Sequence, residues 1–200
     1  MKKTILQRIT SVGLVVSLVG VVVSPAIVSA ASSSANTTVD VTIGDGISVS
    51  TSGSVSFAIT PTPGGALSSA SDTVTVSTNN AAGYTLSLAN ADSSTDLVDG
   101  SNEIAAHAAP HATPTALANN TWGYAVAGGS FSGTYTAQNS NPADTTLWAG
   151  VPAAGPGSSL KTTATIAAGD TTTVWYAAKA TTAQAPGTYS DTVTYTATTN

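Results

Sequence analysis

Two histidines are the first residues in this chain that could do chemistry. His107 and His111, the only two, are four residues apart, and on a helix that spacing would place both imidazoles on one side, where they could bind a metal ion. Pro110 disfavours a regular helix here, and no third ligand accompanies the pair. We therefore interpret them as solvated loop histidines, with a metal site as the alternative.

An acidic stretch just before the histidines offers oxygen ligands. Four residues fit positions 1, 3, 5 and 12 of a calcium loop of the EF-hand type: Asp92, Ser94, Asp96 and Glu103. Leu97 stands where the loop needs a glycine, and no helices flank it, so the sequence predicts no EF-hand. Two alternatives stay open. One is an irregular calcium site built on Asp92, Asp96, Asp99 and Glu103, and the other is a solubilising acidic loop.

Hydrolytic chemistry has little support in the sequence. Residues 128–133 read Gly-Gly-Ser-Phe-Ser-Gly, in which Ser132 replaces the last glycine of the Gly-x-Ser-x-Gly pattern, so the segment predicts a turn. Glu103 is the only glutamate, and no pair of carboxylates can be placed across a cleft as a glycosidase requires. The chain has no cysteine and hence no thiol nucleophile. We expect no enzyme and no cofactor other than possible calcium.

Aromatic side chains are the remaining candidates for ligand binding. Five of them could form a platform for sugar rings or fill a protein core: Trp122, Tyr124, Trp148, Trp175 and Tyr176. Core packing is the favoured interpretation, since the surrounding residues are small. Trp148, beside Gly150 and Pro152, is the best candidate for an exposed ligand-binding ring.

The elements that must position these residues are predicted to be strands. Thr and Val are abundant, while Lys, Glu and Leu are scarce. Apolar and polar residues alternate in several segments, as expected for half-buried strands: residues 39–43, 47–50, 55–59, 73–77, 84–88, 121–126, 160–166, 172–178 and 186–197. We predict an all-β fold, an antiparallel Ig-like or jelly-roll-like β-sandwich over residues 37–200. Residues 79–83 predict a hairpin turn, and residues 91–120 a long loop.

The first thirty residues have the layout of a secretory signal. Lys2, Lys3 and Arg8 precede an apolar run, and Val28-Ser29-Ala30 forms a small-residue cleavage site. The unbroken apolar core, residues 12–23, is shorter than the roughly 20 residues that span a bilayer. We predict a signal helix cleaved after Ala30 and a flexible leader at residues 31–36. Retention as a membrane anchor is the alternative.

Charge narrows the partners of the exported part. Beyond residue 30 there are two basic residues, Lys161 and Lys179, against ten acidic ones, which gives a net charge of −8. So few cations cannot neutralise a phosphate backbone or hold the chain on anionic lipid, so we expect no nucleic acid and no membrane contact outside an uncleaved signal segment.

Several segments resemble exported bacterial surface proteins. Residues 185–195, Ala-Pro-Gly-Thr-Tyr-Ser-Asp-Thr-Val-Thr-Tyr, resemble the last strand of fimbrial and spore-coat subunits and of wall-associated WxL-type domains. Residues 80–86 and 120–125 are similar to segments of Gram-positive-type cell-surface proteins. The Trp-x-Leu pair of the WxL domain and an LPxTG-type sorting signal are absent, so the resemblance implies neither peptidoglycan binding nor covalent wall anchoring.

Three functions follow as hypotheses. The first is a non-catalytic secreted cell-surface protein, a structural or adhesive module of the bacterial envelope that contacts envelope components or other surface proteins. The second is a filament or pilus-type subunit that self-assembles when residues 39–43 add to a neighbour's sheet edge. The third is a carbohydrate- or calcium-binding module.

Overall fold

The computed structural model describes residues 31–127 and 146–200. The predicted signal helix, its cleavage site at Ala30 and the predicted turn at residues 128–133 lie outside the described residues. The chain divides into two units, residues 1–41 and 42–200. In the first unit, residues 31–41 are exposed and contain no secondary structure.

The second unit is all-β, as predicted. Its described residues contain no helix, and therefore no helix that could cross a bilayer. Eleven strands are present there: β1 (Ile47–Ser50), β2 (Ala66–Thr78), β3 (Tyr84–Asn90), β4 (Leu97–Asp99), β5 (Asn102–Ala106), β6 (Thr115–Ala116), β7 (Thr121–Ala127), β8 (Leu147–Trp148), β9 (Ser158–Thr162), β10 (Ala167–Ala180) and β11 (Val193–Thr199).

The strands form two main sheets and one small ribbon. The six-stranded sheet has the order β1-β2-β10-β7-β5-β4, the three-stranded sheet has the order β11-β3-β9, and β6 pairs with β8. All these pairs are antiparallel except β5 with β7. The long strands β2 and β10 run side by side through the larger sheet from Ala66 and Ala180 to Thr78 and Ala167.

Alternation explains how the two sheets share one core. On β2, Val74 and Val76 point inward, and on β3 Leu86 and Leu88 do the same, all four with no exposed surface. They join a single hydrophobic cluster with residues of β7, β9 and β10. In the second half of β2 and the first five residues of β3 every second side chain is buried, so the period of two places one row of side chains in the core.

The predicted hairpin between β2 and β3 is wrong. The two strands belong to different sheets, and residues 79–83 carry the chain from one sheet to the other. Asn80 turns the chain: its side chain accepts a hydrogen bond from the Ala82 amide at 2.7 Å, and Gly83 has a φ of 85°. A hairpin and a crossover between sheets share the same strand–turn–strand pattern, so the pattern could not separate them.

The predicted long loop at residues 91–120 is also wrong in part. It contains three short strands: β4 and β5 pair with each other, and β6 pairs with β8. β5 also runs parallel to β7, where Ala105 and Ala106 pair with Thr121 and Trp122. Strands of two to five residues are too short to show a clear alternation, so the sequence pattern does not reveal them. The strand predicted at residues 160–166 ends earlier, at Thr162.

Candidate functional site

Residues 31–43, which we call the arm, include the first predicted strand. Val39, Val41 and Ile43 alternate with polar residues, yet their exposed fractions are 80, 79 and 82 %. Residues 39–43 join no β-ladder in the part of the chain that the structure describes, so the prediction of a paired strand is wrong here. An apolar strand pattern without a partner is a candidate binding element.

The base of the arm is held in place by the end of β2. Asn79 makes two hydrogen bonds to the residues that follow the arm: its Oδ1 accepts from the Gly46 amide at 2.7 Å, and its Nδ2 donates to the Gly44 carbonyl at 3.0 Å. The Thr78 hydroxyl donates to the Gly46 carbonyl at 2.8 Å, and the Asn80 side chain donates to Asp45 at 3.2 Å. The chain therefore leaves the sheet at a fixed point, between Ile43 and β1.

β1 is a thinly covered edge of the larger sheet. Val49 lies opposite the fully buried Val76, and Ile47 opposite the buried Thr78, so both apolar side chains are on the inward face. Even so, Ile47 is 37 % and Val49 is 40 % exposed. The core is therefore incompletely covered where the chain enters the sheet.

The segment after β1 continues this thin cover. Residues 54–60 alternate between half-buried and exposed positions, and Val55, Phe57 and Ile59 pack against the main core cluster. Among the described residues, this segment has no ladder partner, although residues 55–59 are predicted as a strand. The side chains close the core while the backbone hydrogen-bonding groups stay unpaired with any described strand.

β11 borders the same region from the other sheet. It pairs with β3, and no other described strand hydrogen-bonds to it. Its inward side chains Val193, Tyr195 and Ala197 are only half-buried, and β1 lies close to it. We call residues 47–60 together with β11 the open margin.

A polar network organises the open margin from inside. Asp72 is 5 % exposed, and its Oδ1 accepts from both the amide of Ser52, at 2.9 Å, and its hydroxyl, at 2.7 Å. The Tyr176 and Tyr195 hydroxyls lie 2.7 Å apart, with the Asp72 carboxylate nearby. Burial raises the pKa of Tyr195, and its neighbours Tyr176 and Asp72 raise it further, so the hydroxyl stays protonated.

This network was missed in the sequence, although a signal for it exists. Asp72 is in phase with Val74 and Val76 on the inward face of β2, where a carboxylate costs free energy unless it is hydrogen-bonded. An acidic residue at a core position of an alternating strand predicts buried polar partners. Its hydrogen-bond partner Ser52 is 20 residues away and the nearby Tyr195 more than 100, and the sequence alone does not identify them.

The two histidine side chains have different hydrogen-bond partners. The Nε2 of His107 lies 2.8 Å from the Thr115 hydroxyl. The Nδ1 of His111 lies 2.9 Å from the Tyr124 hydroxyl, and the His111 ring stacks on the Tyr124 ring. Burial lowers the pKa of both histidines and raises the pKa of Tyr124 to about 12, against a smaller opposite effect of Ser158. His107 is 8 % exposed, so the interpretation as a solvated residue is wrong for it.

The acidic residues predicted for calcium point to different partners. Asp92 accepts from the Ser94 amide at 2.8 Å, Asp96 accepts from the Ala106 amide at 3.2 Å, and the side chain of Asp99 lies against Gly187. Nowhere in residues 31–127 and 146–200 do three acidic or histidine side chains come together as metal ligands. Asp92, Asp96, Asp99 and Glu103 therefore remain a prediction with no ligand cluster behind it.

Trp148 is a correction. This residue is the best candidate in the sequence for an exposed ligand-binding ring, but it has no exposed surface and packs with Leu117, Ala125 and Ala177 in a second, smaller core cluster, in line with the favoured interpretation of core packing. Gly150 and Pro152 suggested a surface turn, whereas the chain here runs inward and Ala149 bridges to Tyr124. A buried indole cannot stack on a sugar ring.

Comparison with known proteins adds no family. No family model matches the chain, and no match was found among curated proteins or solved structures. The arm and the open margin are therefore assigned from their geometry alone.

Proposed function

We propose that this chain is a non-catalytic structural subunit of a bacterial cell surface, exported by its first thirty residues and joined to other copies through its arm. Its body is a β-sandwich of the Ig-like or jelly-roll-like class. The observation that carries the proposal is the exposure of Val39, Val41 and Ile43, at 80, 79 and 82 %, in a segment that alternates apolar and polar residues and joins no described strand.

Energetics favour a partner for the arm. Burying an aliphatic side chain of this size is worth about 1.5–3 kcal/mol, so three of them supply a substantial part of a binding free energy. Backbone groups of an added strand pair with a sheet edge at the same time, as in strand-addition complexes. Left unpaired, the same segment is a site of uncontrolled edge-to-edge aggregation.

The position of the arm suits a connecting role. Asn79, directly after β2, hydrogen-bonds to Gly44 and Gly46 and so fixes the residues that follow the arm. Residues 39–43 carry a single charge, Asp40. A fixed exit point limits the directions in which a short arm reaches a neighbour and lowers the entropy lost on binding.

The test is assembly of the exported protein, expressed with its own presequence and recovered from the medium or the envelope. Light scattering after size exclusion and negative-stain electron microscopy should show concentration-dependent multimers. Val41→Asp places a charge on the apolar side of the arm and should leave monomers.

Thr42→Asp is the matched control, because it adds the same charge on the polar side of the arm and should assemble normally. The proposal fails when the unmodified protein stays monomeric across the accessible concentration range, and equally when the two variants assemble alike.

A further inference from the structure

We infer that the acceptor of the arm is the free edge of β11 in a second copy of this chain. The inference rests on the proposed function, because it names the surface to which the donated strand binds. The occupant is residues 39–43 of the other copy.

The edges of the two sheets differ in how well they are protected. β4 is capped by Ser190, which exchanges two backbone hydrogen bonds with Val98 at 3.0 and 3.1 Å. β9 carries Lys161, and its inward Leu160 is completely buried, so an added strand would gain no apolar contact there. A lysine on an edge strand also opposes pairing with another chain.

Neither form of protection is found on β11 or on β1, and β11 is the longer of these two edges, with seven residues against four. Its seven residues include no charged side chain, and within the described part of the chain its outer edge pairs with nothing. Its inward residues Val193, Tyr195 and Ala197 are half-buried, and β1, which carries the 40 % exposed Val49, lies close to β11. This edge therefore has backbone groups that pair with no described strand and apolar side chains that are only partly covered.

The arm matches this edge in length and period. Residues 39–43 present three apolar side chains at every second position, and β11 presents Val193, Tyr195 and Ala197 with the same spacing. A strand laid beside β11 would direct its apolar side chains towards the core and its polar side chains, Asp40 and Thr42, to solvent.

Charge further selects this pairing. Copies whose mature parts carry −8 repel one another, so contact is favoured where charge is lowest. Neither residues 51–60 nor β11 contains a charged residue, and the arm contains only Asp40. The two neutral surfaces meet without burying an unpaired charge.

The contact is heterologous, since the arm of one copy binds a different surface, β11, of the next. Such a contact repeats head to tail and builds an open chain or a ring rather than a closed two-fold dimer. Each added copy presents one free arm and one free edge at the ends of the assembly.

Disulfide cross-linking tests the acceptor directly, because the chain has no cysteine of its own. A tagged full-length Thr42→Cys protein is mixed under mild oxidation with an untagged Thr196→Cys protein, so that any mixed dimer is intermolecular. Thr42 and Thr196 are both exposed on polar faces. The matched control is Ser159→Cys, an exposed position on β9.

We expect mixed dimers of Thr42→Cys with Thr196→Cys in about tenfold excess over those with Ser159→Cys, because only bound neighbours hold their thiols at a millimolar effective concentration. A peptide of residues 37–43 should suppress them, and the same peptide with Val41→Asp should not.

Equal yields at positions 159 and 196, or preferential coupling to Ser48→Cys on β1, would overturn the β11 assignment while leaving strand donation intact. Absence of all mixed dimers, with an unmodified protein that stays monomeric, would overturn both.

Discussion

The hydroxyl oxygens of Tyr176 and Tyr195 lie 2.7 Å apart and connect the two sheets through the core. Tyr176 belongs to β10, at the centre of the larger sheet, and Tyr195 to β11, at the edge of the smaller one. The Asp72 carboxylate lies near this pair and accepts two hydrogen bonds from Ser52, so the network brings the segment after β1 and the last strand together.

Removal of one hydroxyl should weaken this connection. Tyr195→Phe leaves the Tyr176 hydroxyl without its partner in the core, and we expect a loss of about 1–3 kcal/mol in the free energy of unfolding, measured by urea denaturation. Thr194→Val also removes one hydroxyl, from the exposed neighbouring position, and should change stability by less than about 0.5 kcal/mol. Equal effects of the two substitutions would show that the network contributes nothing.

Loss of the Asn79 side chain should free the base of the arm. Asn79→Ala deletes the hydrogen bonds to Gly44 and Gly46 and should cost about 1–2 kcal/mol, with faster hydrogen exchange at the Gly46 amide. Asn79→Asp keeps an oxygen that accepts from the Gly46 amide, so it should retain most of the protection there. Unchanged exchange in Asn79→Ala would contradict the assigned hydrogen bonds.

A methyl group at Gly150 should be poorly tolerated. An added Cβ would lie 1.8 Å from the carbonyl oxygen of His107, at the close crossing of two backbones. We expect Gly150→Ala to cost about 3 kcal/mol or more, because backbone atoms must move apart. Gly64→Ala, where an added Cβ meets nothing within 4 Å, should be nearly neutral. Thermal unfolding of both variants provides the comparison.

Acid should destabilise the fold through its two histidines. Burial lowers the pKa of His107 and His111 in the folded state, so the unfolded chain binds more protons below its own histidine pKa of about 6.5. Stability should be complete above that pH and fall as the pH drops below it. Melting temperatures measured between pH 7 and pH 5 should decrease.

The His107→Gln/His111→Gln double variant should show a flatter profile across the same range, since it retains no histidine. A wild-type melting temperature that rises on acidification would refute the assignment of neutral, buried imidazoles.

The sequence was informative about strands and poor about their partners. The all-β class and the positions of β2, β3, β7 and β10 follow from the alternation of polar residues, mainly Thr and Ser, with apolar ones such as Val and Leu, which is a local property. Pairing is not local. Trp175 on β10 lies beside Ser71 on β2, more than 100 residues earlier, and no pattern within either strand specifies that partner.

The candidate site shows the same limit. Residues 39–43 and 73–77 have the same alternating pattern, yet the first is exposed and the second forms the core of the larger sheet. The difference lies in whether a partner strand is present, which is a property of the tertiary structure. Trp148 was placed at the surface because glycine and proline follow it, while its burial depends on contacts with Leu117 and Ala177.

The central position of β10 also dictates when this protein is able to fold. β10 separates β2 from β7 in the larger sheet, so the two earlier strands have no direct contact with each other in the ladder. A chain made from its N-terminus therefore cannot assemble that sheet until residues 167–180 have emerged, and the smaller sheet waits for β11. Because such distant pairings are slow to form, we expect the larger sheet to assemble only late in synthesis.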